Sequence, residues 1–101
     1  MAKVSMSGRF KCKEGKNDEM DAAVAAQTEA LMGDTNVEIY AYNRGEDNQY
    51  TFYALFPSQE AMQNHGQGED MQAAMETFKS LLDGPPDVVM AQPVAAKGFS
   101  A

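Results

Sequence analysis

The sequence predicts an α+β fold in which a four-stranded antiparallel sheet carries helices on one face. Three observations support this: four short β-prone runs, three of them alternating strictly; two long segments with apolar residues at the helical period; and glycine or proline breaks between them. The chain has 101 residues, enough for one domain and too few for two ordinary cores. A single domain over 1–101 is therefore expected, with the tail 95–101 loose or reaching a partner subunit.

Residues 3–13 alternate, with Val4, Met6, Gly8, Phe10 and Cys12 on one face and Ser5, Ser7, Arg9, Lys11 and Lys13 on the other. Gly15 ends this strand, and Asn17 or Asp18 can cap a helix whose first turn is acidic. That helix carries Met20, Ala23, Val24 and Leu31 on one stripe and is expected to end at Gly33. Residues 36–44 form a second strand in which Val37, Ile39 and Ala41 oppose Glu38, Tyr40 and Tyr42. Residues 49–56 form a third, with Tyr50, Phe52, Ala54 and Phe56 on one face; RGEDN between them reads as a hairpin loop.

After Pro57, Ser58 can cap a short helix through Asn64, and the two glycines of His65-Gly66-Gln67-Gly68 interrupt it. A second long helix is expected from Glu69 to Asp83, with Met71, Met75, Phe78 and Leu82 facing the sheet, stopped by Gly84-Pro85-Pro86. Residues 87–94 give a last strand, and Pro93 marks it as an edge or a strand end. The order β-α-β-β-(short α)-α-β is the ferredoxin-like arrangement. Helices cover one side of such a sheet. The other would carry Ser5, Ser7, Glu38, Tyr40, Tyr42, Thr51, Tyr53 and Leu55, too aromatic to leave in water, so a second copy is expected to cover it as a homodimer.

The net charge of −7 disfavours nucleic acid and anionic membranes as partners. The opening residues show no signal-peptide core, no run is apolar enough to span a bilayer, and Cys12 is the sole cysteine. A cytoplasmic protein is expected. One histidine and one cysteine make no cysteine–histidine metal site, so no metal and no cofactor are expected.

From Tyr53 the sequence reads YALFPSQEAMQNH. An aromatic at Phe56, then Glu60-Ala61, then His65 four residues later, resembles the antibiotic-biosynthesis-monooxygenase-like family of the dimeric α+β barrel superfamily. The topology covers nearly the whole chain and the motif about a dozen residues. Two positions depart from the pattern: Ala54 stands where many relatives carry an acid, and the chain has no Trp. The haem-degrading branch relies on a pocket Trp.

The resemblance implies a pocket between sheet and helices for a small aromatic or carbonyl compound, and an oxidation by molecular oxygen without metal, flavin or haem. His65 is the natural base or donor there, with Asn64 as an orienting amide, and the Gly66–Gly68 break a possible lid. The bland alternative is a surface histidine ending a short helix. Phe10, Ile39, Phe52, Phe56, Met75 and Phe78 would line the pocket or simply form the core. Arg9 and Arg44 could hold an anion or bridge neighbouring carboxylates, and Cys12 reads as a buried inert thiol. Two other functions stay open: a non-catalytic small-molecule-binding or scaffold module, and an isomerase of small carbonyl compounds.

Overall fold

A computed structural model describes residues 2–101; Met1, included in the expected domain, lies outside it. The elements are β1 (Val4–Lys11), α1 (Asn17–Ala30), β2 (Ile39–Arg44), β3 (Gln49–Phe56), α2 (Gln59–Gln67), α3 (Glu69–Leu81) and β4 (Asp87–Ala91). They form one antiparallel sheet in the order β2-β3-β1-β4, which is the ferredoxin-like topology. β4 is an edge strand, as Pro93 foretold, and ends at Ala91 rather than residue 94.

The register decides which side chains meet the helices. Met6, Gly8 and Phe10 of β1 lie opposite Ala54, Phe52 and Tyr50 of β3. Tyr40 and Tyr42 of β2 lie opposite Ala54 and Phe52. Directly opposed residues share a face, so both tyrosines point under the helices and Ile39 and Ala41 point away. This reverses the expected orientation of β2. Tyr40 and Tyr42 leave the outer face, and Ile39, opposite Leu55, cannot line a cavity beneath the helices. The physical reason is that a tyrosine ring buries as well as an isoleucine once its hydroxyl finds a partner.

The core between sheet and helices gathers Phe10, Cys12, Met20, Val24, Tyr50, Phe78 and Leu81. Phe10 stacks on Tyr50 with ring planes 1° apart. The Tyr50 hydroxyl donates to Asp21 at 2.5 Å, and Arg44 donates to the same carboxylate at 2.7 Å. The Tyr50 hydroxyl first, and the guanidinium with it, hold the Asp21 carboxyl below its usual range. Arg44 thus bridges a carboxylate, and Arg9 does likewise with Asp87 at 3.5 Å. Cys12 is 1% exposed, its amide donates to the Asn48 carbonyl, and it bridges to Leu82 beyond α3. Burial pushes its thiol pKa up, in keeping with an inert side chain.

Several helix boundaries move. Lys16, not Asn17 or Asp18, occupies the cap position of α1 and makes no side-chain cap. α1 ends at Ala30, where the Leu31 amide turns back to Gln27 and Thr28, so Gly33 is not its terminator. Ser58 caps α2 as expected, accepting from the Ala61 amide at 3.1 Å. α2 continues through His65 and Gly66 to Gln67, since a helical glycine costs only about 1 kcal/mol. The break shrinks to Gly68, an extended residue that closes α2 and opens α3. On the outer face, Phe99 of the tail lies 6.4 Å from the Tyr53 ring of its own chain.

At Gly8 of β1 the neighbouring β4 backbone leaves no space for a side chain. A Cβ there would meet the Asp87 carbonyl oxygen at 2.0 Å and the Phe52 ring at 3.1 Å. Backbone cannot yield as a side-chain tip does. Gly8→Ala should therefore push β4 from β1 and lower Tm by roughly 5–15 °C, for an overpacking cost of about 1–3 kcal/mol. Thermal unfolding followed by circular dichroism would check this; an unchanged Tm would mean that β4 adjusts freely.

Candidate functional site

Beneath α3 the inner sheet face leaves a cavity of about 190 Å³. β1 contributes Met6 and Phe10, β2 Tyr40 and Tyr42, β3 Phe52, and α3 Met71, Met75 and Phe78; Leu82 and the exposed Pro86 and Val88 line its open side. Gly8 sits amid four of these residues, between Met6 and Phe10 along β1 and opposite Phe52 and Val88. Its missing side chain lets the Asp87 backbone and the Phe52 ring come in close at this edge of the cavity. An apolar hole of about 150 Å³ already accepts benzene, so this cavity suits one substituted aromatic ring.

Of the expected lining residues, Phe10, Phe52, Met75 and Phe78 come together here. Ile39 is on the other face of the sheet, and Phe56 is fully buried against His65, with ring centroids 5.4 Å apart. Among the lining residues that sequence reasoning missed, Tyr40 and Tyr42 are the ones that carry polar atoms. Their period-two spacing was visible, but not which face it belonged to.

The tyrosines bring the only hydroxyls among the lining residues. The Tyr42 hydroxyl donates to the Gln27 side-chain carbonyl on α1, and the Gln27 amide donates to Met71 Sδ at 3.1 Å. The Tyr40 hydroxyl lies 3.3 Å from that of Tyr42. Since Tyr42 gives its single proton to Gln27, Tyr40 is the donor of that second pair, and its oxygen keeps lone pairs for a ligand. Desolvation first, then the neighbouring Tyr40, pushes the Tyr42 phenol far above its ordinary pKa.

His65 is on α2 and is buried, as is its Nε2, which has no hydrogen-bond partner among the described residues. Its Nδ1 lies 3.6 Å from Asp34 Oδ2, and its ring is 5.7 Å from that of Tyr40. It is therefore not a surface histidine. Nor does it line the apolar cavity, from which Tyr40 separates it. His65 borders a second, more open pocket of about 320 Å³, shared with Leu31, Asp34, Asn36, the exposed Asn64, and Gly68 to Met71. The expected pair of His65 and Asn64 is thus brought together, but on the far side of Tyr40. No group of three or more metal-ligating side chains occurs among the described residues.

Tyr42→Phe should leave the buried Gln27 carbonyl without its donor and lower Tm by roughly 5–15 °C, following a cost of about 1–3 kcal/mol. The raised phenol also sets an alkaline limit. The folded state holds this proton above the unfolded value near pH 10, so stability is complete below about pH 10 and falls as pH rises beyond it. Absorbance at 295 nm should show this tyrosinate only as the protein unfolds in alkali. Reversible ionisation in the folded state would refute the burial argument.

The family model described as antibiotic biosynthesis monooxygenase matches residues 4–77. No protein with a curated description matches the chain. Among solved structures, a protein of unknown function from Nitrosomonas europaea superposes with a TM-score of 0.86 at 19% identity, covering 100% of this chain and 98% of that one. A candidate antibiotic biosynthesis monooxygenase from Caulobacter crescentus gives 0.87 at 16% identity, covering 93% and 92%. A protein from Shewanella oneidensis gives 0.82 at 20% identity, covering 91% of each chain. At these identities the likeness is one of fold. Among the described residues no helix is long and apolar enough to cross a membrane.

Proposed function

The chain belongs to the antibiotic biosynthesis monooxygenase family, and on that premise we propose that it oxidises a single-ring phenol or quinol with molecular oxygen. The observation that carries this reading is the apolar cavity of about 190 Å³ lined by Tyr40, with the buried His65 ring 5.7 Å from the Tyr40 ring. Such a reaction asks little of a protein. A phenolic proton is removed, the electron-rich anion passes an electron to oxygen, and the two radicals combine at a ring carbon. The peroxide then loses water, so one oxygen atom enters the ring and the other leaves as water. The protein supplies an apolar cavity, a group that orients the phenol and a destination for its proton.

In this reading Tyr40 orients the substrate and His65 takes the proton, reached by displacement of the Tyr40 ring or through a water. Phe10, Phe52, Met75 and Phe78 hold the ring, and Asn64 acts from the polar side. No cofactor is invoked.

A non-catalytic binding module is favoured by one specific observation: His65 does not border the cavity that would hold the ring. Oxygen uptake by metal-free protein with single-ring hydroquinones, corrected for autoxidation, separates the two. The oxygenase reading expects uptake proportional to protein, falling roughly 10²-fold in His65→Gln and less in Tyr40→Phe. Binding without uptake would establish the module instead.

We also propose that two copies pair through the outer sheet face, in the cytoplasm. In support, that face carries the half-buried Tyr53 and also Val89, the latter 61% exposed. Light scattering at micromolar concentration should give twice the chain mass, and Val89→Glu should shift it toward the single chain. A wild-type monomer would refute the pairing.

A further inference from the structure

The apolar cavity and the polar pocket share a wall. Met71 borders both, and Tyr40 on one side packs against His65 on the other. Met71 is unbranched and adaptable, and the hydrogen bond from Gln27 to its sulfur is a weak one to surrender. We infer that the two form one bipartite site, and that the substrate is an aromatic ring bearing a short neutral or cationic arm that passes Met71 into the polar pocket. This rests on the reading of the apolar cavity as the substrate's seat.

Charge decides what the arm can be. Asp34, Glu69 and Asp70 place three carboxylates around the pocket. Opposing them is the N-terminus of α3, uncapped by any side chain and equivalent to about half a positive charge. Even a protonated His65 adds only one more, so the balance stays negative by more than a full charge. An anionic arm is repelled. A hydroxyl or ammonium arm is accepted, and the pocket's lining includes the buried His65, whose Nε2 has no hydrogen-bond partner among the described residues. The same balance argues against phosphorylated or carboxylated substrates, and so against an isomerase of such compounds.

The test is binding under anaerobic conditions, where no turnover intrudes. Hydroquinone itself and derivatives carrying a 2-aminoethyl, 2-hydroxyethyl or carboxymethyl arm are titrated calorimetrically into the protein. The aminoethyl compound should bind roughly tenfold more tightly than the carboxymethyl one, as expected for a few partly exposed charge pairs. The combined variant Asp34→Asn, Glu69→Gln, Asp70→Asn should bring that ratio close to one and leave unsubstituted hydroquinone unaffected. Met71→Ala should tighten the armed compounds relative to hydroquinone. Val88→Phe, which fills the cavity, should weaken all four alike.

If hydroquinone binds but the arm's charge makes no difference, or favours the carboxylate, the bipartite site is refuted and the cavity reading stands. If the aminoethyl compound binds equally well in Val88→Phe, the polar pocket acts alone and the inference fails. If none of the four binds, the cavity reading fails with it.

Discussion

Everything around the cavity depends on the register of β3 with its two neighbours. Pairing Phe52 with both Gly8 and Tyr42 sets the inner face of three strands at once. A slip of one residue in β2 would turn both tyrosines outward and bring Ile39 inward. The cavity would then lose its hydroxyls and Gln27 would lose its buried partner. The register is held from several directions. Phe10 stacks on Tyr50, Tyr50 bonds Asp21 across to α1, and Tyr42 reaches Gln27 on the same helix. The first link joins two strands and the other two join a strand to α1, so the pairing within the sheet and the seam between the two layers reinforce one another.

Period two and the Gly84-Pro85-Pro86 stop made the element order and the sheet legible from residues alone, and the helix-facing side of β1 and β3 was assigned correctly. The face of β2 was not legible. Its two alternating sets, Ile39 with Ala41 and Tyr40 with Tyr42, are both able to bury, and only the long-range partner Gln27 breaks the tie. The extent of α2 was obscured for a similar reason. Gly66 reads locally as a break, whereas packing of Ala61 and His65 carries the helix past it.

The candidate site shows the same division between local and distant information. His65 was legible because it is the only histidine and follows Phe56 and Ala61 at a recognisable spacing. Its relation to the cavity was not, because that depends on Tyr40 standing between them. A motif within one stretch of chain locates a residue along an element. Which void the residue borders is set by strands far away in sequence, here by a tyrosine 25 positions upstream on β2.

Cys12 gives the molecule a built-in reporter of opening. Its sulfur is the only thiol, it lies at the seam where the end of β1 meets Leu82, and burial keeps it protonated. A thiol reagent can reach it only when that seam separates, so its modification rate counts openings of this part of the protein and nothing else. Labelling kinetics, compared with and without a bound aromatic compound, would therefore read how strongly occupancy of the interior holds the two layers shut.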